Sequence, residues 1–406
     1  MNIKNSLLFV CLFLVTGSFA QSPKFISTRA DQLIGTNGQP FLIKGTNLGN
    51  WLVPEGYMFK FGSTNSPRLI NEAITELIGP AAARQFWKKY LDSYITQADI
   101  RYIRSLGMNS IRVPFDYRLF SDEEYLGDHG AARGFALMDR LIGWCRDAHL
   151  YVILDMHCAP GGQTGDNIDD GYGYPFLFED TADQDQTAAI WKMIAAHYKN
   201  EPTVIGYDLL NEPIATYFDK EHFNPFLEPL YKKIAGAIRT VDSRHLLFLG
   251  GAQWDSNFKI FGPPFDPKLV YTFHKYWTDT TQEVIQEYLD FRNKYHVPIC
   301  CGETGENTDA WIAGFRRLLD KNRIGWHFWP YKKMDNTRGI VTFPVPADYD
   351  AVIRYADTLR NSFADIRKAR PGDVMKIKAA LYGFIHNSLF ENCTVNTGYV
   401  RALGLH

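Results

Sequence analysis

The stretch Val204-Ile-Gly-Tyr-Asp-Leu-Leu-Asn-Glu-Pro213 opens on an apolar run and closes on an amide and a carboxylate. Its apolar residues stand mostly on consecutive positions rather than alternate ones, which is typical of a strand buried on both faces. Seven further runs of this kind recur along the chain, at residues 41–45, 110–113, 151–155, 246–249, 269–273, 297–301 and 325–329. Together they predict eight buried strands.

Amphipathic helical patterns separate these runs, as in the apolar stripe of Leu137, Leu141 and Cys145. Strands that alternate with helices pair in parallel through right-handed crossovers, with the helices outside. Eight such units therefore predict an α/β fold, the closed (β/α)8 TIM barrel. A doubly wound open sheet is the alternative. It predicts a glycine-rich phosphate turn after the first strand, and residues 44–50 match that pattern poorly.

Composition excludes several classes of protein. The chain has 406 residues, of which 46% are hydrophobic and 22% charged, as in ordinary globular proteins. A net charge of −2 gives no electrostatic reason to expect a nucleic-acid partner. The aromatic content of 15% is high, and the surplus of Trp and Tyr suits a cleft that stacks the flat faces of sugar rings.

Residues 1–20 have the pattern of a cleavable secretory signal. Lys4 is their only charge, residues 7–15 form an apolar run, and Ser18-Phe19-Ala20 is a small-x-small cleavage site. We therefore expect a secreted or periplasmic protein. Elsewhere no apolar stretch approaches the ~20 residues of a membrane helix, so we expect no membrane span.

No linker divides residues 21–406, which predicts one catalytic domain with long loops. We expect the protein to be a monomer. The tail holds two helical stretches. We expect residues 348–368 to form the eighth barrel helix, and residues around 372–390 to form an appended helix that packs outside. The adjacent Cys300 and Cys301 lie in a strand-like run, which predicts buried thiols rather than a bridge or a metal site.

Polar or aromatic side chains stand at the carboxyl ends of six predicted strands. They are Arg112, His157, Asn211 with Glu212, His274 with Tyr276, Glu303 and Trp329. These strand ends form one rim, on which the active sites of such barrels lie. A single buried His is more often a satisfied core residue, but six such strand ends together predict a functional site.

Two of these side chains are carboxylic acids on different strands, Glu212 and Glu303. Cleavage of a glycosidic bond needs such a pair, one protonated for the leaving oxygen and one ionised for the anomeric carbon. Arg112 could keep Glu303 ionised through a charge-assisted hydrogen bond. Glu212 would then be the group whose pKa rises, through burial and a nearby negative charge.

A metal site is the alternative for the same rim. His157, His274, Glu212, Glu303 and Asp155 offer nitrogen and oxygen ligands. Arg112 argues against this alternative, because it would place a fixed positive charge beside the metal, and no pair of these residues shows a metal-binding spacing.

The motifs at these strand ends resemble those of glycoside hydrolase family 5. Leu209-Leu-Asn-Glu-Pro213 is similar to its fourth-strand Asn-Glu-Pro signature. Its other landmarks are matched in order by Ser110-Ile-Arg-Val-Pro114, Asp155-Met-His157, Phe273-His-Lys-Tyr276, Cys301-Gly-Glu303 and Trp326-His-Phe-Trp329. The similarity runs from about residue 41 to residue 329.

This resemblance implies a retaining mechanism that needs no cofactor, with Glu212 as acid/base and Glu303 as nucleophile. It also implies roles for the rest of the rim: Asn211 on the sugar 2-hydroxyl, Arg112 and Tyr276 beside Glu303, His157 and His274 around the sugar at the cleavage point, and Trp329 beneath it.

The resemblance specifies the substrate less closely than it specifies the mechanism. Gly45-Thr-Asn-Leu-Gly-Asn-Trp51 and Asp155-Met-His-Cys-Ala-Pro-Gly-Gly-Gln163 resemble stretches of family members that act on β-1,3-glucan and related β-glucosides. Trp51, Trp254 and Trp277 are candidate sugar platforms. We expect a β-glucan or β-glucoside substrate; β-mannan, other β-glycosides and a non-catalytic sugar-binding barrel are the alternatives.

Overall fold

The computed structural model describes residues 24–405, so the predicted signal at residues 1–20 lies outside the described residues. Each of the eight predicted runs overlaps a strand of the structure. These strands are β1 (Lys44–Asn47), β2 (Ser110–Asp116), β3 (Tyr151–Cys158), β4 (Val204–Asp208), β5 (Leu246–Gly250), β6 (Leu269–Lys275), β7 (Ile299–Gly305) and β8 (Gly325–Trp329).

The eight strands form a closed parallel barrel in sequence order, and β8 pairs with β1 to complete it. Closure is set by the register Trp326 to Lys44 and Phe328 to Thr46. All carboxyl ends of the strands therefore lie at one end of the barrel. The predicted (β/α)8 barrel is confirmed.

Twelve α-helices of six residues or more surround or extend this barrel in the described part of the chain. They are α1 (Pro67–Ile78), α2 (Pro80–Ser93), α3 (Gln97–Ser105), α4 (Ala132–Ala148), α5 (Thr181–Tyr198), α6 (Lys220–Arg239), α7 (Gln286–Tyr295), α8 (Asp309–Lys321), α9 (Asp350–Ala356), α10 (Phe363–Ala369), α11 (Val374–Ser388) and α12 (Thr397–Ala402). A hairpin of Ser27–Arg29 with Gln32–Ile34 precedes β1, and Lys332–Met334, Val341–Phe343 and Thr394–Val395 form a small second sheet.

The tail differs from the prediction in its first part. The prediction of a single eighth barrel helix at residues 348–368 is wrong. Two short helices, α9 and α10, lie there instead, and α10 has no buried residue. Between them, Asp357 accepts hydrogen bonds from the backbone N–H groups of Gly62 and Ser63 (2.7 and 3.1 Å), which ties this break to the loop after β1. The place beside α8 is taken by α12.

The second predicted tail helix is present as α11, which packs on α1 and α2 outside the barrel. Phe384 of α11 stacks on Phe59, with ring centroids 4.6 Å apart, and Tyr90 of α2 lies beside both. Much of the aromatic surplus therefore belongs to the core.

Cys300 and Cys301 are buried free thiols, as predicted. Among residues 24–405, no helix is long and apolar enough to cross a membrane.

Candidate active site

A cavity of about 610 Å³ opens at the carboxyl ends of the strands. Seven of the ten predicted site residues line it: His157, Glu212, Trp254, His274, Tyr276, Glu303 and Trp329. Arg112 and Asn211 are buried and contact these residues from below. The predicted rim therefore assembles into one site.

Both oxygens of Glu303 are held by donors. The Arg112 guanidinium donates to Oε1, and the Tyr276 hydroxyl donates to Oε2 at 3.1 Å. Because the guanidinium is always protonated, its hydrogen bond to Glu303 is charge-assisted. The predicted contact between Arg112 and Glu303 is present.

Arg112 also holds two carboxylates at the bottom of the site. Its Nε donates to Asp208 Oδ2 at 2.7 Å, and its Nη2 lies 3.1 Å from Asp155 Oδ1. All three side chains are almost completely buried. Burial raises the pKa of Asp155 and of Asp208 to about 7, against the opposing charge of Arg112.

Glu212 has an unusual backbone, with φ at 45°. A left-handed φ is unfavourable for a residue with a side chain, so neighbouring groups must hold it. Asp255 Oδ2 accepts its backbone N–H at 3.2 Å, and the Thr164 hydroxyl donates to its carbonyl at 2.9 Å. The Gln163 amide donates to the preceding Asn211 carbonyl at 2.8 Å.

Burial raises the pKa of Glu212 to about 7. The predicted increase is confirmed in direction, but its predicted second cause is not. The charges that act on this carboxyl group, His157 and Arg112, both lower its pKa. Desolvation is therefore the cause of the raised pKa of Glu212.

The two glutamates face each other across the site. A carboxylate oxygen of each, together with a ring nitrogen of His274, all lie within 4.8 Å of one another. His274 Nδ1 lies 2.9 Å from Glu212 Oε1 and 3.9 Å from Glu303 Oε2. Carboxyl groups ~5–5.5 Å apart suit attack on an anomeric carbon by one and proton donation by the other, whereas a wider gap leaves room for a water.

Trp329 forms one wall of the cavity. Its indole lies parallel to the His157 ring, with centroids 5.9 Å apart, and its Nε1 donates to the Tyr57 hydroxyl at 2.8 Å. Gly49 lies against the indole, since a Cβ there would come within 2.5 Å of Trp329 Cη2. The glycine in the stretch after β1 therefore lets the indole lie flat on the backbone.

The prediction that Trp51 is a sugar platform is wrong. Its side chain is fully buried, and its Nε1 donates to the Leu91 carbonyl of α2 at 2.8 Å. Trp254 and Trp277 do line the cavity, and Trp277 is 75% exposed.

Sequence reasoning missed several residues of the site. Glu55 and Tyr57 come from the loop after β1, and Glu306 follows Glu303 beyond β7; all three line the cavity. Asp208 and Asp255 are buried beneath it. For Asp208 a signal existed, because a carboxylate in the middle of a buried apolar run needs a partner.

Two triads of described residues could converge on a metal ion, Asp155 with His157 and Glu303, and Glu212 with His274 and Glu303. Both include Glu303, which the Arg112 guanidinium already contacts. A fixed positive charge there opposes a second cation, so the donor sets do not fit a metal well.

A closed parallel barrel with two facing glutamates at its carboxyl rim is compatible with the O-glycosyl hydrolases, whose chemistry uses a pair of carboxyl groups. Residues 72–335 match the family described as Cellulase (glycosyl hydrolase family 5). The chain belongs to this family of hydrolases.

Curated relatives carry several substrate names. The chain is similar to a "Beta-xylosidase" of Phanerodontia chrysosporium, at 31% identity over 59% of this chain and only 48% of that protein. An "Endoglucanase C" of Acetivibrio thermocellus is 28% identical over 62% of this chain and 88% of its own. A "Glucan 1,3-beta-glucosidase" of Candida oleophila is 28% identical over 75% of this chain and 73% of its own.

Solved structures support the fold. A rutinosidase from Aspergillus niger superposes with a TM-score of 0.59 at 20% identity, over 74% of this chain and 92% of that chain.

Proposed function

We propose that this protein is a retaining β-glycosidase that hydrolyses a β-glucan or β-glucoside by double displacement, with Glu303 as nucleophile and Glu212 as acid/base. The observation that carries the proposal is the separation of the two carboxylates, which have oxygens within 4.8 Å of each other. That gap fits a covalent glycosyl-enzyme better than it fits direct attack by water.

The contacts of each carboxylate suit its role. Glu303 attacks the anomeric carbon as an anion, and Arg112 and Tyr276 hold its two oxygens in place. The bond to the leaving oxygen breaks as Glu212 transfers its proton to that oxygen. In the second step Glu212 takes a proton from water, the water oxygen bonds to the anomeric carbon, and Glu303 leaves.

Asn211 and the rings around it position the sugar. Asn211 lies between the Arg112 guanidinium, which donates to its Oδ1 at 2.9 Å, and His157 Nε2, which its Nδ2 approaches at 3.4 Å. These contacts fix the amide beside Glu212, where the sugar 2-hydroxyl would lie. Trp329 offers an apolar face for the ring.

A β-glucoside is the substrate class that the relatives and the two resembling stretches favour together. The names endoglucanase and glucan 1,3-beta-glucosidase share the β-glucosyl unit and differ in linkage and mode of attack. This substrate class can be tested by measuring hydrolysis of a panel of polysaccharides and small substrates. The panel contains β-1,3-, β-1,4- and mixed-linkage glucans, β-mannan, a β-glucoside and a β-xyloside. Hydrolysis confined to mannan or xyloside would contradict it, and binding without turnover would identify a sugar-binding barrel.

Replacing Glu212 with alanine should slow the cleavage of substrates with poor leaving groups more than that of activated substrates. Alkyl or sugar leaving groups need protonation, so kcat/KM should fall about 10²–10⁴-fold, whereas a dinitrophenyl glycoside should lose less than about tenfold in this first step. Steady-state kinetics on both substrate types measures the difference. Equal losses on both would exclude the acid role.

The pH dependence of kcat/KM should have an alkaline limb near the pKa of Glu212, which burial raises to about 7. Activity falls above this pH because the acid must be protonated in the free enzyme. Asp155 and Asp208 have their pKa raised by burial to about the same value, so a dinitrophenyl glycoside is the control. If the limb belongs to Glu212, it weakens with that substrate; if it persists unchanged, the buried aspartates cause it.

We further propose that the protein is exported and that cleavage follows Ala20, on the pattern of residues 1–20. N-terminal sequencing of protein from the medium or periplasm should begin at Gln21.

A further inference from the structure

One buried carboxylate shapes the loop after β3, which runs from residue 159 to residue 180 and leads into α5. Asp169 lies in this loop and is only 2% exposed. Its Oδ2 accepts the backbone N–H groups of Thr164 and Gly165 at 2.8 and 2.7 Å, and its Oδ1 accepts that of Gly171 at 2.8 Å. Asp169 therefore joins two distant points of the loop through a single side chain.

The carboxylate is a strong acceptor for these three donors. Burial raises the pKa of Asp169 to about 6, and the three N–H groups oppose this rise. The group is therefore mostly ionised at neutral pH, and an ionised acceptor binds N–H groups more strongly than a neutral one. Gly162 lies close beside it, since a Cβ there would come within 2.8 Å of Asp169 Oδ2.

The residues next to this carboxylate hold the backbone of the proposed acid/base. The Gln163 amide donates to the Asn211 carbonyl at 2.8 Å, and the Thr164 hydroxyl donates to the Glu212 carbonyl at 2.9 Å. The backbone carbonyls of the same two loop residues accept N–H groups of residues 214–215 at 2.9 and 3.0 Å. The loop after β3 thus pairs with the segment that contains Glu212.

That segment needs support from its neighbours. Glu212 and Ile214 have φ values of 45° and 57°, in the left-handed region that is unfavourable for residues with a side chain. The backbone of Glu212 sets the direction in which its side chain leaves the chain. A shift of the supporting loop would therefore move the carboxyl group of Glu212 relative to Glu303.

We propose that Asp169 is a positioning residue for the acid/base of the reaction; this inference depends on the function proposed above. By binding the N–H groups of its own loop, Asp169 holds Gln163 and Thr164 against the backbone of Asn211 and Glu212. Proton transfer to the leaving oxygen requires the acid within hydrogen-bond reach of it, so a small displacement of Glu212 weakens this step.

A second set of contacts ties the outer part of the loop to the barrel. Asp170 contacts the Arg118 guanidinium and accepts the Arg68 backbone N–H at 2.8 Å. Arg118 in turn donates from Nε to Asp116, the last residue of β2, at 2.9 Å. The loop therefore stays attached to the barrel without the Asp169 carboxylate, and a change at Asp169 acts on its inner part.

The test is Asp169→Asn, assayed as kcat/KM on dinitrophenyl, nitrophenyl and phenyl β-glucosides. A carboxamide has one acceptor oxygen, and its NH₂ group faces N–H donors that the carboxylate accepted. We expect kcat/KM to fall about 10–100-fold for the phenyl glucoside, which needs the acid, and to change little for the dinitrophenyl glucoside. The plot of log kcat/KM against leaving-group pKa should therefore become steeper. A loss of folded protein would lower all three rates by the same factor.

Asp242→Asn is the matched control. Asp242 is also 2% exposed, and its Oδ1 accepts the backbone N–H groups of Arg244 and His245 at 2.8 and 3.2 Å. It lies in the turn before β5, at the end of the barrel opposite the cavity. This variant should lower stability and leave the leaving-group dependence as in the wild type. An unchanged slope in Asp169→Asn, or an equally steep slope in both variants, would overturn the inference.

Thr164→Val gives a second measurement in case Asp169→Asn does not fold. Valine keeps the shape of the threonine side chain but cannot donate to the Glu212 carbonyl. We expect the slope to steepen in the same direction by a smaller amount, and an unchanged slope would overturn the inference. If the wild-type protein hydrolyses no β-glycoside, or Glu212→Ala leaves the slope unchanged, it is the proposed function that fails, and this inference fails with it.

Discussion

Glu303→Ala is expected to lower turnover of every β-glycoside substrate by at least about 10⁴-fold. Of the carboxyl groups nearest to Glu303, Glu212 is the proposed acid/base, and the buried Asp155 and Asp208 are directed at Arg112, so none of them is expected to replace the nucleophile. Loss of the nucleophile removes the first chemical step itself, so kcat and kcat/KM should fall together. Steady-state kinetics with a dinitrophenyl glycoside gives the most sensitive measurement.

Azide distinguishes this outcome from simple damage to the site. In Glu303→Ala the missing side chain leaves space beside the anomeric carbon, and a small anion can attack there directly. One displacement inverts the configuration, so an activated β-glycoside should give an α-glycosyl azide. A β-glycosyl azide, or a variant with nearly wild-type turnover, would show that Glu303 is not the nucleophile.

Glu306→Ala is the matched control for this experiment. Glu306 lines the same cavity, but its carboxylate is paired with Lys333 rather than with Arg112. Its removal should cost far less turnover than the removal of Glu303 and should give no glycosyl azide.

The fold could be predicted because an apolar run lies within each barrel strand or, for β1, directly before it, and the errors within the barrel lie at strand ends. The predicted run 151–155 continues in the structure to Cys158, and the run 269–273 continues to Lys275. Backbone pairing goes on after the side chains become polar, because those side chains face the site rather than the core. The residues that end the apolar pattern are for this reason the functional ones.

The rest of the site depends on contacts that no local pattern contains. Trp51 and Trp254 both stand in loops after strands, yet Trp51 is covered by α2 and Trp254 reaches the cavity. Asp255 reaches the Glu212 backbone N–H only through a left-handed turn and a glycine at position 250. The break between α9 and α10 likewise depends on Asp357 meeting a loop almost three hundred residues away.

Arg112→Ala is expected to have the largest effect on stability. The guanidinium is 1% exposed and contacts Asp155, Asp208 and Glu303. Without it, three buried carboxyl groups lose their counter-charge, and Asn47 and Asn211 lose a donor at 3.2 and 2.9 Å. Removing one partner of a buried ion pair costs about 3–5 kcal/mol, measured here as the free energy of unfolding in urea.

Arg239→Ala is the control for the loss of an arginine ion pair. Arg239 Nε donates to Asp266 Oδ2 at 2.8 Å, but both side chains are partly exposed and lie far from the cavity. Water can replace the lost partner there, so the free energy of unfolding should fall less than in Arg112→Ala, and turnover should be retained.

Arg112→Lys separates charge from geometry. A lysine keeps the positive charge, but its single ammonium group cannot reach three carboxylates that lie around a planar fork. We expect it to recover part of the stability lost in Arg112→Ala and little of the turnover, because Glu303 would lose the donor that orients it. Full recovery of turnover by lysine would mean that charge alone suffices, and that the fixed hydrogen bond to the nucleophile is not what Arg112 contributes.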